Sequence, residues 1–503
     1  MGEKIPPLLS RREIEVLIAD GAKIFILDQF VIKANPWIPY HPGGDKPILH
    51  MVGRDATDEI TALHSAEAKQ KMTRHRIGRI EGRWKNFAPP IQGGKFRPLA
   101  DNTQVGCNDD TSNDSRGASP VFDTNRTGLR HRCGGDLSSS ASVTSASSIE
   151  EDDGMAHLDT LTREKINLDL EKYPAVDHET QDAIVVKYRL LSDRIKAEGL
   201  YDCNYSAYAV EACRYSLLFA CMVLTLHWGW YALSGAFLGA VWHQLAFVVH
   251  DAGHMGITHN FHIDTCIGML VADFCGGLSV GWWKRNHNVH HIVTNSPEND
   301  PDVEYLPFLA LSHQFFGNLR STYYEHLMEY DAVAKLGVKI AGQFVFWYWY
   351  GYLLIYTSIP SNRGRFAFFM ISHMIAAPLH VQLTLSHFAM SMADLGPDES
   401  FPQKMIRTTM DIDCPQWLDF FHGGLQFQVV HHLYPRIPRH NLRRTQKLVQ
   451  DICDEVGIPY ALYGFVDGNR KVVGALAEVS KQAAILAKCQ QVMVRESVHG
   501  HAH

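Results

Sequence analysis

Three imidazoles fall within five residues at His287-Asn288-Val289-His290-His291, between a Trp-Trp-Lys-Arg edge and an acidic loop that contains proline. At helical spacing His287, His290 and His291 share one face. Two further clusters accompany them. Upstream, His250 and His254 stand four apart in His-Asp-Ala-Gly-His, one above the other on a helix. Downstream, Gln428-Val-Val-His431-His432 adds two more imidazoles and an amide. Imidazole suits iron, copper and zinc alike, so ligand type does not choose the metal. Number decides more. Seven histidines exceed the ligand set of one tetrahedral zinc, and two ions, each partly ligated with room for oxygen, is the simplest reading. Histidines without such a role would be costly at a membrane boundary.

The clusters need elements that hold them at such a boundary, and the hydrophobic pattern supplies them. Residues 215–249 carry no Asp, Glu, Lys or Arg, enough for two short crossings that turn at Trp228-Gly-Trp-Tyr231. His250 and His254 follow directly. Residues 263–283 are largely apolar but include Asp264, Asp273 and several glycines, which fits a re-entrant or interfacial element rather than a full span. Residues 341–359, ending at Pro360, and residues 366–392 are the third and fourth crossings. Four crossings in two hairpins place the N-terminus, the 250–340 region and everything after Asp394 on one side, so the three clusters share a compartment. Arg363 and Arg365, in the far-side loop, make the positive-inside count weak support for that orientation.

Over all 503 residues the mean hydropathy is -0.14, but polar and apolar blocks alternate instead of mixing. A net charge of -7 without a dense basic stripe argues against nucleic acid as a partner. The ten cysteines form no C-x-x-C pair, which points to a reduced, cytosol-facing context. The opening Met-Gly-Glu-Lys-Ile-Pro-Pro lacks the apolar core of a signal peptide, so insertion is expected to use internal segments. Between 101 and 151, Ser, Asp, Asn, Thr and Gly dominate, and such a stretch cannot bury enough apolar area to offset its ordering entropy. A disordered tether is expected over 85–160. After it, Ile184, Tyr188, Leu191 and Ile195 share one face of a helix over 178–199, expected to lie at the membrane interface.

The first 84 residues have a pattern of their own. Ser10-Arg-Arg-Glu13 reads as a capping box, and two short strands follow it. Then come His41-Pro-Gly-Gly44, Gly53-Arg-Asp-Ala-Thr57 and Ala62-Leu-His64. In that order these segments resemble a cytochrome b5 domain, which the resemblance places at residues 6–84. It implies a haem b held axially by His41 and His64.

The cluster order H-x3-H, H-x2-H-H and Q-x2-H-H, with hydrophobic hairpins between, resembles the membrane fatty-acyl desaturase family. The Gln in the third cluster and the fused cytochrome b5 are similar to the front-end branch of that family. Segments 281–297, Asn299-Asp-Pro-Asp302 and Tyr463-Gly-Phe-Val-Asp-Gly-Asn469 are similar to fungal Δ8-sphingolipid desaturases. The resemblance implies a multi-domain chain, with a small α+β haem domain ahead of an all-α integral-membrane domain of about four transmembrane helices and a cytosolic di-iron cap. The expected divisions are 6–84 for haem, 85–160 for the tether, 161–205 for a pre-membrane helical segment, 206–480 for the desaturase domain and 481–503 for a tail.

The activity implied is O2-dependent insertion of a double bond at the Δ8 position of the sphingoid base of a sphingolipid or ceramide precursor. The alternative is a front-end acyl-lipid or acyl-CoA desaturase of Δ5/Δ6 type. Two non-haem Fe ions are the implied metals, bound by His250, His254, His287, His290, His291, His431 and His432. In relatives a further histidine comes from the region before the third cluster, which here is His387. Gln428 is left as a ligand, direct or through water, or as the hydrogen-bond partner of one. No G-x-G-x-x-G follows a strand, so a separate NAD(P)H cytochrome b5 reductase is the expected electron donor. The expected location is the endoplasmic reticulum membrane, with haem domain and clusters facing the cytosol.

Overall fold

The structure is a computed structural model that describes residues 6–87, 151–297, 299–303 and 333–499. The chain divides into two compact units. The first comprises residues 1–181, 393–401 and 480–503; the second comprises 182–392 and 402–479.

In the first unit, helix α1 (Arg11–Ala19) starts at the capping box. The Ser10 hydroxyl accepts from the Glu13 backbone N–H while the Glu13 carboxylate accepts from the Ser10 N–H at 2.7 Å. Strands β1 (Ile24–Leu27), β2 (Phe30–Lys33) and β3 (Arg76–Arg79) form an antiparallel sheet in that order. The β1–β2 turn has only Asp28 and Gln29 between the paired Leu27 and Phe30, and both take positive φ, 48° and 66°. That is the mirror-image turn whose twist suits a hairpin. Helices α2 (Lys46–Met51), α3 (Thr57–Leu63) and α4 (Ala66–Thr73) fill the connection from β2 to β3. The core gathers Ile14, Ile18, Ile24, Ile26, Val31, Val52, Ile80, Trp84 and Phe87. It extends past the expected boundary at 84, because Phe87 packs on Gly53. Gly53 has φ +79°, and a Cβ there would lie 1.9 Å from the Phe87 ring, so only glycine fits.

Residues 88–150, the bulk of the expected tether, lie outside the described residues. Its final ten residues, 151–160, are already helical, because α5 runs Glu151–Lys172. Helix α6 (His178–Ala197) corrects another expectation. Its apolar stripe does not lie open to lipid: Ile184, Tyr188, Leu191 and Ile195 are all buried. Tyr188 stacks on Tyr434 at 5.3 Å, and its hydroxyl donates to the Leu433 carbonyl at 3.0 Å. α6 is a packing helix that supports the segment carrying the third cluster.

The second unit is built on apolar helices. α7 (Tyr205–His227) and α8 (Tyr231–Gly253) form the first hairpin, and residues Asn362–Leu385 form a further 24-residue span. These are the three helices long and apolar enough to cross a membrane among the described residues. α8 meets the Asn362–Ala376 helix at Gly235-x-x-x-Gly239, where backbones come close: a Cβ on Gly239 would lie 2.3 Å from the Ser372 carbonyl. Small residues at four-residue spacing permit that approach. Helix α9 (Phe261–Met269) continues to Cys275 and then bends by 116° into α10 (Val280–Val293). That bend suits the re-entrant reading of 263–283. The expected third crossing is helical as far as Thr357, and its winding widens to a π-helix over Trp347–Thr357.

Candidate metal centres

Each cluster reaches the site by a different route. α8 ends there, giving His250 from its last turn and His254 as its C-cap. α10, capped by the Ser279 hydroxyl on the Trp282 N–H, carries His287, His290 and His291 on its buried face. His431 and His432 sit in the helix Gln428–Leu433, which follows a turn with Gly423 and Gly424 at φ +58° and +96°. A Cβ on Gly423 would lie 2.1 Å from the Phe247 ring, so glycine lets this turn close against α8. His387 follows the Pro378–Leu385 helix.

The structure sorts these side chains into two groups. His250, His254, His287 and His431 each offer a ligand atom within 4.8 Å of the others, and so do His290, His387 and His432. His291 joins the two. Its Nε2 is 3.3 Å from Nε2 of His287, and its ring is 4.4 Å from that of His432. Two nitrogens bound to one ion at about 2.0–2.1 Å would have that spacing. Nε2 of His254, His431 and His432 are buried and have no hydrogen-bond partner. Orphaned buried nitrogens are expensive unless something fills their lone pairs. The donor set therefore fits two ions. Gln428 is buried one turn before His431 and His432.

Two residues with no role assigned from the sequence support this set. His287 Nδ1 donates to Asp302 at 2.7 Å and His290 Nδ1 donates to Asp300 at 2.8 Å. Each bond fixes the tautomer and leaves Nε2 to ligate. Asp300 is fully buried and also accepts from the Asn295 N–H at 2.7 Å. Burial, the largest single influence, would raise Asp302, but the hydrogen bond from His287 and the charges of His287, His290 and His387 together outweigh it and bring the carboxyl to about 2. Desolvation, reinforced by neighbouring imidazoles, holds His387, His431 and His432 well below the ordinary histidine value. Burial thus favours the neutral form that a ligating imidazole needs. The signal in the sequence was Asn299-Asp-Pro-Asp302 itself, carboxylates a short loop beyond the histidines.

A buried ion network closes the base of the site. The Arg439 guanidinium donates to Asp251, to Glu211 and to the Phe247 carbonyl, and Tyr208 donates to Asp251. Asp251 stands between His250 and His254 in sequence, so this network anchors the end of α8.

In the first unit the His41 and His64 rings lie 5.9 Å apart at 33°. His41 Nδ1 donates to the Gly44 carbonyl at 2.6 Å and His64 Nδ1 to that of Ile60 at 3.2 Å. Nε2 of each would thereby be the atom offered to a haem iron. The ring separation suits a pair of imidazoles that would hold one iron between them.

Comparison with known proteins agrees with this division. Residues 226–464 match the fatty acid desaturase family, and residues 10–81 match the cytochrome b5-like haem/steroid binding domain. The chain is 53% identical to a Delta 8-(E)-sphingolipid desaturase of Emericella nidulans, over 99% of this chain and 98% of that protein. A protein of the same description from Kluyveromyces lactis is 41% identical over 99% and 96%. An acyl-lipid (9-3)-desaturase of Borago officinalis is 32% identical over 62% of this chain and 79% of its own length.

Proposed function

Because this chain belongs to the fatty acid desaturase family and carries a cytochrome b5 domain ahead of its membrane unit, we propose that it introduces an E double bond at the Δ8 position of the sphingoid base of ceramide-type lipids. The observation that carries this reading is similarity along the whole chain to Delta 8-(E)-sphingolipid desaturases, against partial coverage for the acyl-lipid enzyme.

His250, His254, His287 and His431 would hold one iron and His290, His387 and His432 the other, with His291 between them. When bound, the iron pair supplies the O2 chemistry that unactivated methylene C–H bonds require. The protein's part is placement and exclusion. Asp300 and Asp302 hold His290 and His287 in one tautomer, and burial of the imidazoles keeps bulk water from the reacting carbons. Gln428, buried one turn before His431 and His432, would ligate directly or through water, or hydrogen-bond one of those ligands. His41 and His64 would hold a haem, which when bound would supply electron transfer from a separate NAD(P)H cytochrome b5 reductase. Residues 85–160, read as a tether, would raise the haem's effective concentration at the metal site. The enzyme resides in the endoplasmic reticulum membrane with both centres facing the cytosol.

Expression in a yeast lacking the activity, with mass-spectrometric profiling of long-chain bases and fatty acids, tests the reading. New Δ8 bonds in long-chain bases alone support it. New bonds confined to acyl chains would replace it with the Δ5/Δ6 alternative.

A further inference from the structure

The second ligand group draws its three imidazoles from three separate segments, so something must hold them in register. His290 belongs to α10, His387 follows the Pro378–Leu385 helix and His432 comes from the Gln428–Leu433 helix. Asp300 orients His290. The other two imidazoles meet Thr294 and Asn295, consecutive residues that close the C-terminal end of α10. Both are 1% exposed, and no role is yet assigned to either side chain.

Thr294 is the C-cap of α10. Its single hydroxyl proton goes to the His290 carbonyl at 2.6 Å, a closer and stronger acceptor than the Met405 sulfur at 3.6 Å. Toward His432 Nδ1, 3.3 Å away, the oxygen is left to accept. That bond keeps the proton of the His432 ring on Nδ1 and turns Nε2 to the metal position. His432 Nε2 is buried there without a hydrogen-bond partner. Thr294 thus ties one ligand of the group to the backbone of another.

Asn295 has φ +58°, a left-handed conformation that asparagine tolerates better than most residues. Its Nδ2 donates to the carbonyls of His387 at 3.0 Å, Ser391 at 3.2 Å and Thr408 at 3.1 Å. The opposite amide orientation would set an oxygen against three carbonyl oxygens, which fixes the assignment. Burial is the main influence on the His387 imidazole, and the Thr408 carbonyl works against it on the same ring. One amide therefore grips both the His387 backbone and a carbonyl that acts on its ring. All of these contacts fall on the second group, and none of them reaches His250, His254 or His431.

We propose that Thr294 and Asn295 are positioning residues of the second metal centre, which fix the His432 and His387 imidazoles against α10 and so set the affinity of that centre alone. This rests on the two-ion reading above.

The test is a titration of the full chain, haem-loaded and stripped of non-haem metal, with ferrous iron under anaerobic conditions against a chromophoric chelator. Wild-type protein should take up two ions. Thr294→Val and Asn295→Gly should each keep one ion at wild-type affinity and bind the other about 10–100-fold more weakly, the usual effect of removing a ligand's hydrogen-bond partner. Glycine keeps the left-handed backbone, so a role confined to φ predicts no loss in Asn295→Gly. Thr294→Ser, which keeps the hydroxyl, should restore the affinity that Thr294→Val loses. Because the two side chains act on different ligands, either variant alone decides if the other does not fold. Two ions at wild-type affinity would overturn the proposal, and so would equal weakening of both. Pairing identifies the centre. Added to His432→Ala, Asn295→Gly should change the affinity of the remaining ion by less than about twofold, as independent sites do. Added to His254→Ala, it should weaken the remaining ion by the full factor, and the reverse pattern would overturn the assignment. If wild-type protein binds fewer than two ions, the two-ion reading falls and takes the proposal with it. If it binds two and the variants bind them as tightly, only the proposal falls.

Discussion

Asp300 shows how much can depend on one carboxylate. Fully buried, it orients His290, accepts from the Asn295 N–H and accepts from the Asp302 N–H at 2.9 Å. Replacing the hydrogen-bond partner of a ligating histidine typically weakens metal affinity about 10–100-fold. Asp300→Ala should therefore lower the ratio of non-haem iron to haem in purified protein, with Asp300→Asn intermediate. The haem serves as an internal standard, and an unchanged ratio would remove Asp300 from the metal site. The three clusters were plain in the sequence because histidines at helical spacing are rare for packing reasons. Asp300 and Asp302 were visible as residues but not as partners, since a carboxylate in a loop is ordinarily solvated. His387 has no cluster around it. Resemblance alone singled it out, and the fold brings it within 4.8 Å of His290 and His432.

Among the elements, α8 has the tightest constraints. Its Gly239 faces the Ser372 backbone, so Gly239→Val should destabilise the second unit by about 1–3 kcal/mol, as overpacking does. Gly474→Ala, where nothing stands within 4 Å, should be neutral or stabilising by up to about 1 kcal/mol. Thermal unfolding in detergent distinguishes the two. The helix carrying His431 and His432 is held from behind by Asp411, which accepts from the Val429 N–H at 2.8 Å, from Gln446 and from Tyr460. Burial pushes the Asp411 carboxyl up from 3.8 to about 6. The folded state thus favours the protonated acid. Its contribution to stability is full below pH 4, declines between pH 4 and 6, and is constant above. Asp411→Asn should remove that slope from a stability-against-pH series, and an identical slope would assign it to another group. The spans were readable from charge-free runs. The role of α6 was not, because an apolar stripe looks the same whether lipid or Tyr434 covers it.

For the whole molecule, two units with separate cores imply separable responses. Removing bound metal with a chelator would leave the seven grouped imidazoles without a shared ion, while the first unit keeps its own core. Metal linkage stabilises only the folded state that binds it. Chelation should lower the unfolding temperature of the membrane unit and leave the Soret-detected transition in place. A common shift of both would contradict that independence. The Arg439 network belongs to this scale too. Its partners Glu211 and Asp251 lie 228 and 188 residues away in sequence, so no local pattern announced it.

The ligands also fix an order of events in the life of the chain. They begin at His250, near the end of the second apolar helix, and finish at His432, well beyond the last span. A ribosome that has just completed that span has not yet translated His431 or His432, and neither group can close without them. Either group is therefore completed only after the last of these spans has been made. No truncated chain ending before His431 can complete either group.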